Sequence, residues 1–124
     1  MRELAVYLGT TLDYDRGVYS VSVPLPFGRR QEVRASIRTD DDGRHLIVFV
    51  STVGQVRRGL DGWTLLKANG ELIYSRIALL GNMVAVIASQ LLHTAQPEEV
   101  LLILREVAQC ADTLERTYFV SDQF

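Results

Sequence analysis

Residues 18–25 alternate. Tyr19, Val21, Val23 and Leu25 fall on one side, Ser20 and Ser22 on the other. A period of two marks a half-buried strand, because successive side chains of a strand point to opposite faces. Pro24 and Pro26 lack the N–H that an internal ladder needs, so this strand ends there or runs along an edge. Residues 32–39 alternate more cleanly. Val33, Ala35 and Ile37 are the inward set, and Glu32, Arg34, Ser36 and Arg38 the outward one. Asp40-Asp41-Asp42-Gly43 then supplies a loose hairpin loop. Residues 45–53, HLIVFVSTV, are apolar on both faces, as in a central strand covered on each side or covered on one side by a partner.

The period then changes. Trp63-Thr64-Leu65-Leu66-Lys67-Ala68 reads as a short helix, with Asp61 placed to cap its free N–H groups. Asn69-Gly70 reads as the stop, with Gly70 in the left-handed region closing the helix. Residues 72–80 and 83–90 are two more apolar-rich strands around Gly81-Asn82, a two-residue hairpin of type II′. Pro97, Glu98 and Glu99 open the last helix, where proline fits the first turn and acidic groups suit the positive end of the dipole. Val100, Leu104, Val107, Ala111, Leu114 and Tyr118 recur every three or four positions as its apolar stripe. Arg105, Gln109, Asp112 and Arg116 form the opposite face, and Leu102 falls among them in a solvated position. Residues 1–12 fit neither period well. A short helix ending near Gly9 is the expectation there, followed by a turn at Tyr14-Asp15-Arg16-Gly17.

This order predicts an α+β fold: an antiparallel sheet of about five strands with a short N-terminal helix, a short middle helix and a long C-terminal helix. The chain of 124 residues is one domain (1–124) by size. Hydrophobic residues at 48% and charged residues at 23% exclude a disordered chain. A net charge of −2 leaves no basic field for nucleic acid or an anionic membrane. Arg29-Arg30 and Arg57-Arg58 read as solvated loop charges. The N-terminal stretch MRELAVYLGTTLD has charged and polar residues where a secretory leader needs an apolar run, and no window is long and apolar enough to span a bilayer. The expectation is a cytoplasmic protein.

Candidate chemistry is sparse. His45 and His93 have no second ligand at metal spacing. Cys110, the sole cysteine, has no partner thiol and no base nearby in sequence, and reads as a structural thiol. Asp40, Asp41 and Asp42 lack the alternating ligands of a calcium loop. The glycines are too scattered for a phosphate loop. No catalytic, cofactor or metal site is expected. Trp63 reads as a core or interface anchor.

The stretch LLKANGELIYSRIAL, a Leu-Leu pair with an Asn three residues later and then an apolar strand, resembles a motif of the type III secretion chaperone-like fold. Within that fold it is similar to the YbjN-like bacterial proteins described as putative sensory transduction regulators. RQEVRASI (30–37), STVG (51–54) and the helix EEVLLILREVAQCADTLE resemble neighbouring segments of that family, so the likeness spans roughly residues 18–118. It implies a non-enzymatic homodimer that binds another protein as chaperone, adaptor or regulator. It also implies an interface built by the middle helix and the strand after it, here Leu65, Leu66, Tyr74, Ile77 and Leu79. The residues themselves agree with self-association, since the last two strands carry more apolar surface than one helix can cover. A small-molecule-sensing regulatory domain on the same scaffold is the alternative.

Overall fold

The structure is a computed structural model describing residues 12–15, 17–56 and 60–119. Six described strands form one antiparallel sheet in the order β1-β2-β3-β4-β6-β5. They are β1 (Leu12–Asp15), β2 (Val18–Pro24), β3 (Arg30–Thr39), β4 (His45–Gln55), β5 (Arg76–Leu80) and β6 (Met83–Leu91). A short helix α1 (Gly62–Gly70) precedes β5, and a long helix α2 (Pro97–Leu114) follows β6. A π-helical turn, Glu115–Phe119, extends α2. The fold is the α+β arrangement that the alternation predicts.

The core lies between the sheet and α2. Val21 and Val23 of β2, Val33 and Ala35 of β3, Ile47 and Phe49 of β4, and Val84 and Val86 of β6 meet Val100, Leu104, Val107 and Ala111 of α2. Phe49 and Leu104 are the largest side chains shut off completely from solvent. Truncating such a leucine to alanine costs about 2–5 kcal/mol, because a void replaces close-packed atoms. Most polar groups that enter this layer are hydrogen-bonded, the exception among the described residues being the buried Gln90 Oε1. Buried Gln31 donates from Nε2 to Ser51 Oγ at 3.0 Å and to Glu115 Oε1 at 3.1 Å. Ser51 in turn donates to the Glu32 carbonyl at 2.8 Å. Asp112 Oδ2 accepts from Nε of both Arg29 and Arg116, each at 3.1 Å. This matches the rule that buried polar groups keep partners.

Several expectations are corrected. Residues 12–15 form a strand paired with β2, where a turn was expected from Tyr14 onward. The short helix expected to end near Gly9 lies outside the described residues. Ile37 shares the inward parity of Val33 and Ala35 but is 51% exposed. It sits beside Pro97, where α2 begins, so little of that helix extends over it. Asp112, assigned to the solvated face of the last helix, is buried, because two arginines neutralise it there. The Asp-rich loop is organised. Asp40 accepts from the N–H groups of Asp42 and Arg44 at 3.0 and 2.9 Å, and from Arg44 Nε at 2.9 Å. Those bonds, led by the Arg44 N–H, hold the Asp40 carboxyl below its usual range.

Gly70 is the clearest correction. It is the last residue of α1 and has no positive φ, unlike Gly81, whose φ is +62°. Glu71 and Leu72 close the helix instead, donating to the Ala68 and Asn69 carbonyls at 3.1 and 3.2 Å. The Gly81-Asn82 hairpin does follow the type II′ pattern. Gly81 is positive and Asn82 is not, and Leu80 pairs with Met83 across the turn.

β4 and β6 are central, yet only one face of each packs under α2. Leu46, Val48 and Val50 on the other face are half-buried and stand outside the core cluster. β4 also carries a bulge between Thr52 and Gly54. The bulge adds a residue, so that Val53 and Gly54 both turn inward.

Candidate functional site

Helix α1 buries no residue completely. At nine residues it is too short to persist alone, so its position depends on what holds it. Three devices do so. Asp61 caps the N-terminus, accepting from the Trp63 N–H at 3.0 Å and the Thr64 hydroxyl at 2.6 Å. Asn69 grips β5 with both ends of its carboxamide. Its Oδ1 accepts from the Ile77 N–H at 2.9 Å, and its Nδ2 donates to the Ile77 carbonyl at 3.4 Å. Glu106 of α2 gathers the connection to β5. Its carboxylate accepts from the N–H groups of Ile73, Tyr74 and Ser75 at 2.8–2.9 Å, and from the Ser75 hydroxyl. Partial burial works against the Glu106 charge. The Ser75 hydroxyl and the three N–H groups outweigh it, so the carboxyl titrates below its usual range.

Between α1 and β5 these devices leave a groove of about 700 Å³. Its walls are apolar: Val56, Leu60, Trp63, Leu65, Leu66, Ile77, Leu79 and Val84. Trp63 is 82% exposed, Leu66 65% and Leu79 63%. Among the described residues that line it there is no acid, base or nucleophile, and the Asn69 carboxamide is engaged by Ile77. What such a surface can do chemically is take up apolar partner surface.

Four of the five residues that the resemblance nominates, Leu65, Leu66, Ile77 and Leu79, meet in this groove. Tyr74 does not line it. Its backbone belongs to the Glu106 clasp, because the expected strand from Leu72 begins only at Arg76. Sequence reasoning did not assign Val56 and Leu60 to this site. They belong to no periodic run, so nothing local ties them to α1. Trp63 carried the one usable signal, as a lone tryptophan in the first turn of a short helix.

Away from the groove, Cys110 lies half-buried on α2, and burial together with the nearby Glu106 charge pushes its thiol up to about 11. Among the described residues no three His, Cys, Asp or Glu side chains gather as a metal site would. No helix among them is long and apolar enough to cross a membrane.

A scan against protein-family models finds none that matches, and a search of curated proteins finds no relative.

Proposed function

We propose that the chain is a non-enzymatic protein-binding module of the secretion chaperone-like fold, acting in a bacterial cytoplasm as chaperone, adaptor or regulator, and working as a homodimer. The observation that carries this reading is the α1–β5 groove, with Trp63, Leu66 and Leu79 exposed on one contiguous apolar surface. Scattered apolar side chains are normal on a monomer, but a continuous patch of this kind is characteristic of an interface. The patch combines a protruding indole with an apolar hollow beside it. That is the self-complementary shape a twofold contact requires. Trp63 is the sole tryptophan, so its emission reports on this site alone. On raising the protein concentration, the emission should move from that of a water-exposed indole to that of a buried one, in step with the rise in mass. Association without any change in Trp63 emission would place the interface elsewhere.

A second reading has one observation in its favour. The groove volume falls within the roughly 300–1,000 Å³ typical of small-molecule sites. In this reading the domain senses an apolar metabolite. Thermal shift against a panel of apolar acids, alcohols and quinones tests it. A saturable rise in melting temperature that Leu66→Glu abolishes would favour sensing over self-association.

A further inference from the structure

The sheet ends on β5, and β5 is hazardous as an edge. Its sequence, Arg-Ile-Ala-Leu-Leu, carries one charge and no proline. Leu79 and Leu80 are exposed on its two faces. A short apolar strand with unpaired backbone groups is a template for another strand.

The hairpin register shows which groups are unpaired. Leu80 and Met83 flank the two-residue turn, so they form the hydrogen-bonded pair there, and alternate residues pair from that point back. Arg76, Ala78 and Leu80 therefore direct their N–H and C=O groups toward β6. Ile77 and Leu79 direct theirs outward, as does Ser75 just before the strand.

Two of these three outward positions are already occupied by side chains. Glu106 accepts the Ser75 N–H at 2.8 Å. Asn69 takes both outward groups of Ile77, as a paired strand would. A carboxamide carries a donor group and an acceptor group, so it satisfies both the N–H and the C=O of one residue without offering a further peptide edge. Among the described residues only Leu79 is left with an outward pair, and one position is too few to seat an incoming strand.

We propose that Asn69 is an edge guard. It imitates a neighbouring strand at Ile77 and so prevents sheet extension from β5, in particular by the β5 strand of a second copy. Contacts at this end of the molecule are thereby restricted to side-chain docking. This does not depend on the proposed dimer, since a monomer needs the guard equally.

The probe is a labelled synthetic peptide of residues 75–81, Ser-Arg-Ile-Ala-Leu-Leu-Gly, followed by fluorescence anisotropy. Asn69→Ala should bind it at least tenfold more tightly than the wild-type chain. Asn69→Asp keeps an acceptor for the Ile77 N–H and adds a charge at the edge, so it should bind no better than wild type. Equal binding by Asn69→Ala and wild type would overturn the proposal. A second measurement stands even if Asn69→Ala fails to fold. In the wild-type chain the Ile77 amide should exchange with deuterium at least tenfold more slowly than an unstructured amide. Exchange at the unstructured rate would also overturn the guard.

Discussion

Phe119 lies against the α-carbon of Gly54. A Cβ added at Gly54 would stand 2.5 Å from the ring's Cδ1. The bulge in β4 turns Gly54 inward at this point, and the π-helical turn after α2 brings the ring down onto it. Gly54→Ala should therefore destabilise by about 1–3 kcal/mol, the usual range for forcing an extra group into a packed site. Urea unfolding measures it. With Phe119→Ala already present the cost of Gly54→Ala should shrink, because residues in contact are energetically coupled. An unchanged cost in that background would remove Phe119 as the cause.

The Glu106 clasp has a pH signature. The native carboxyl is held below its usual value of 4.5, against burial, by the Ser75 hydroxyl and three N–H groups. A depressed carboxyl contributes stability that is complete above the unfolded value and is lost as pH falls through the native one. Amide exchange at Ile73, Tyr74 and Ser75 should be slower in wild type than in Glu106→Gln at neutral pH. The two should begin to converge below the usual value of 4.5 and meet only once pH has fallen through the lowered native value, where both side chains are neutral. Identical exchange at neutral pH would mean that the carboxylate does not hold the loop.

Gly70 and Gly81 should behave oppositely. Gly70 closes α1 without a positive φ, and a Cβ there meets nothing within 4 Å. Gly70→Ala should be neutral or stabilising by up to about 1 kcal/mol, through loss of unfolded-chain freedom. Gly81→Ala places a Cβ in the left-handed region at φ +62° and should cost about 1–2 kcal/mol. Thermal unfolding of the two variants side by side decides, and a costly Gly70→Ala would contradict this account of the helix end.

These glycines also show what was legible in the sequence. Alternation placed β2 and β3, because period two is imposed by one packed face. The 3.6 period placed α2 for the same reason. β4 was placed by a run apolar on both faces, and the hairpin by Gly81-Asn82 between two apolar runs. Helix punctuation was less legible. Asn69-Gly70 reads as a left-handed cap in isolation, but Asn69 is drawn off to Ile77, and the helix is closed by the next two residues. Tyr74 was misplaced because Leu72, Ile73 and Tyr74 look like strand, while a carboxylate more than thirty residues on, Glu106, ties them as a loop. Side-chain grips across such separations leave no periodic trace. The groove was half legible. Leu65, Leu66, Ile77 and Leu79 were named only as an interface that the family resemblance implies, and Val56 and Leu60 reach the groove only through the tertiary fold.

Cys110 should be inert. With its thiol pushed up to about 11, roughly one molecule in ten thousand carries the thiolate at pH 7. Alkylation by iodoacetamide in the folded protein should be slower than that of free glutathione by at least tenfold. It should reach the free rate only on unfolding. Cys110→Ser should fold and associate as wild type does, at a cost on the order of 1–2 kcal/mol for a half-buried hydroxyl. Rapid labelling of the native chain would contradict the burial.

The central claim is that the α1–β5 groove joins two copies. Sedimentation velocity at low micromolar concentration tests it on the wild-type chain and on Leu66→Glu. Leu66 is 65% exposed and outside the core, so its replacement should leave the fold and melting behaviour of one chain intact. A charge at the centre of an apolar contact should be fatal to association, since it would be desolvated without a partner. The account predicts twice the chain mass for wild type and a single chain mass for Leu66→Glu, with the same circular dichroism spectrum. A wild-type monomer, or a Leu66→Glu dimer as tight as wild type, would contradict it.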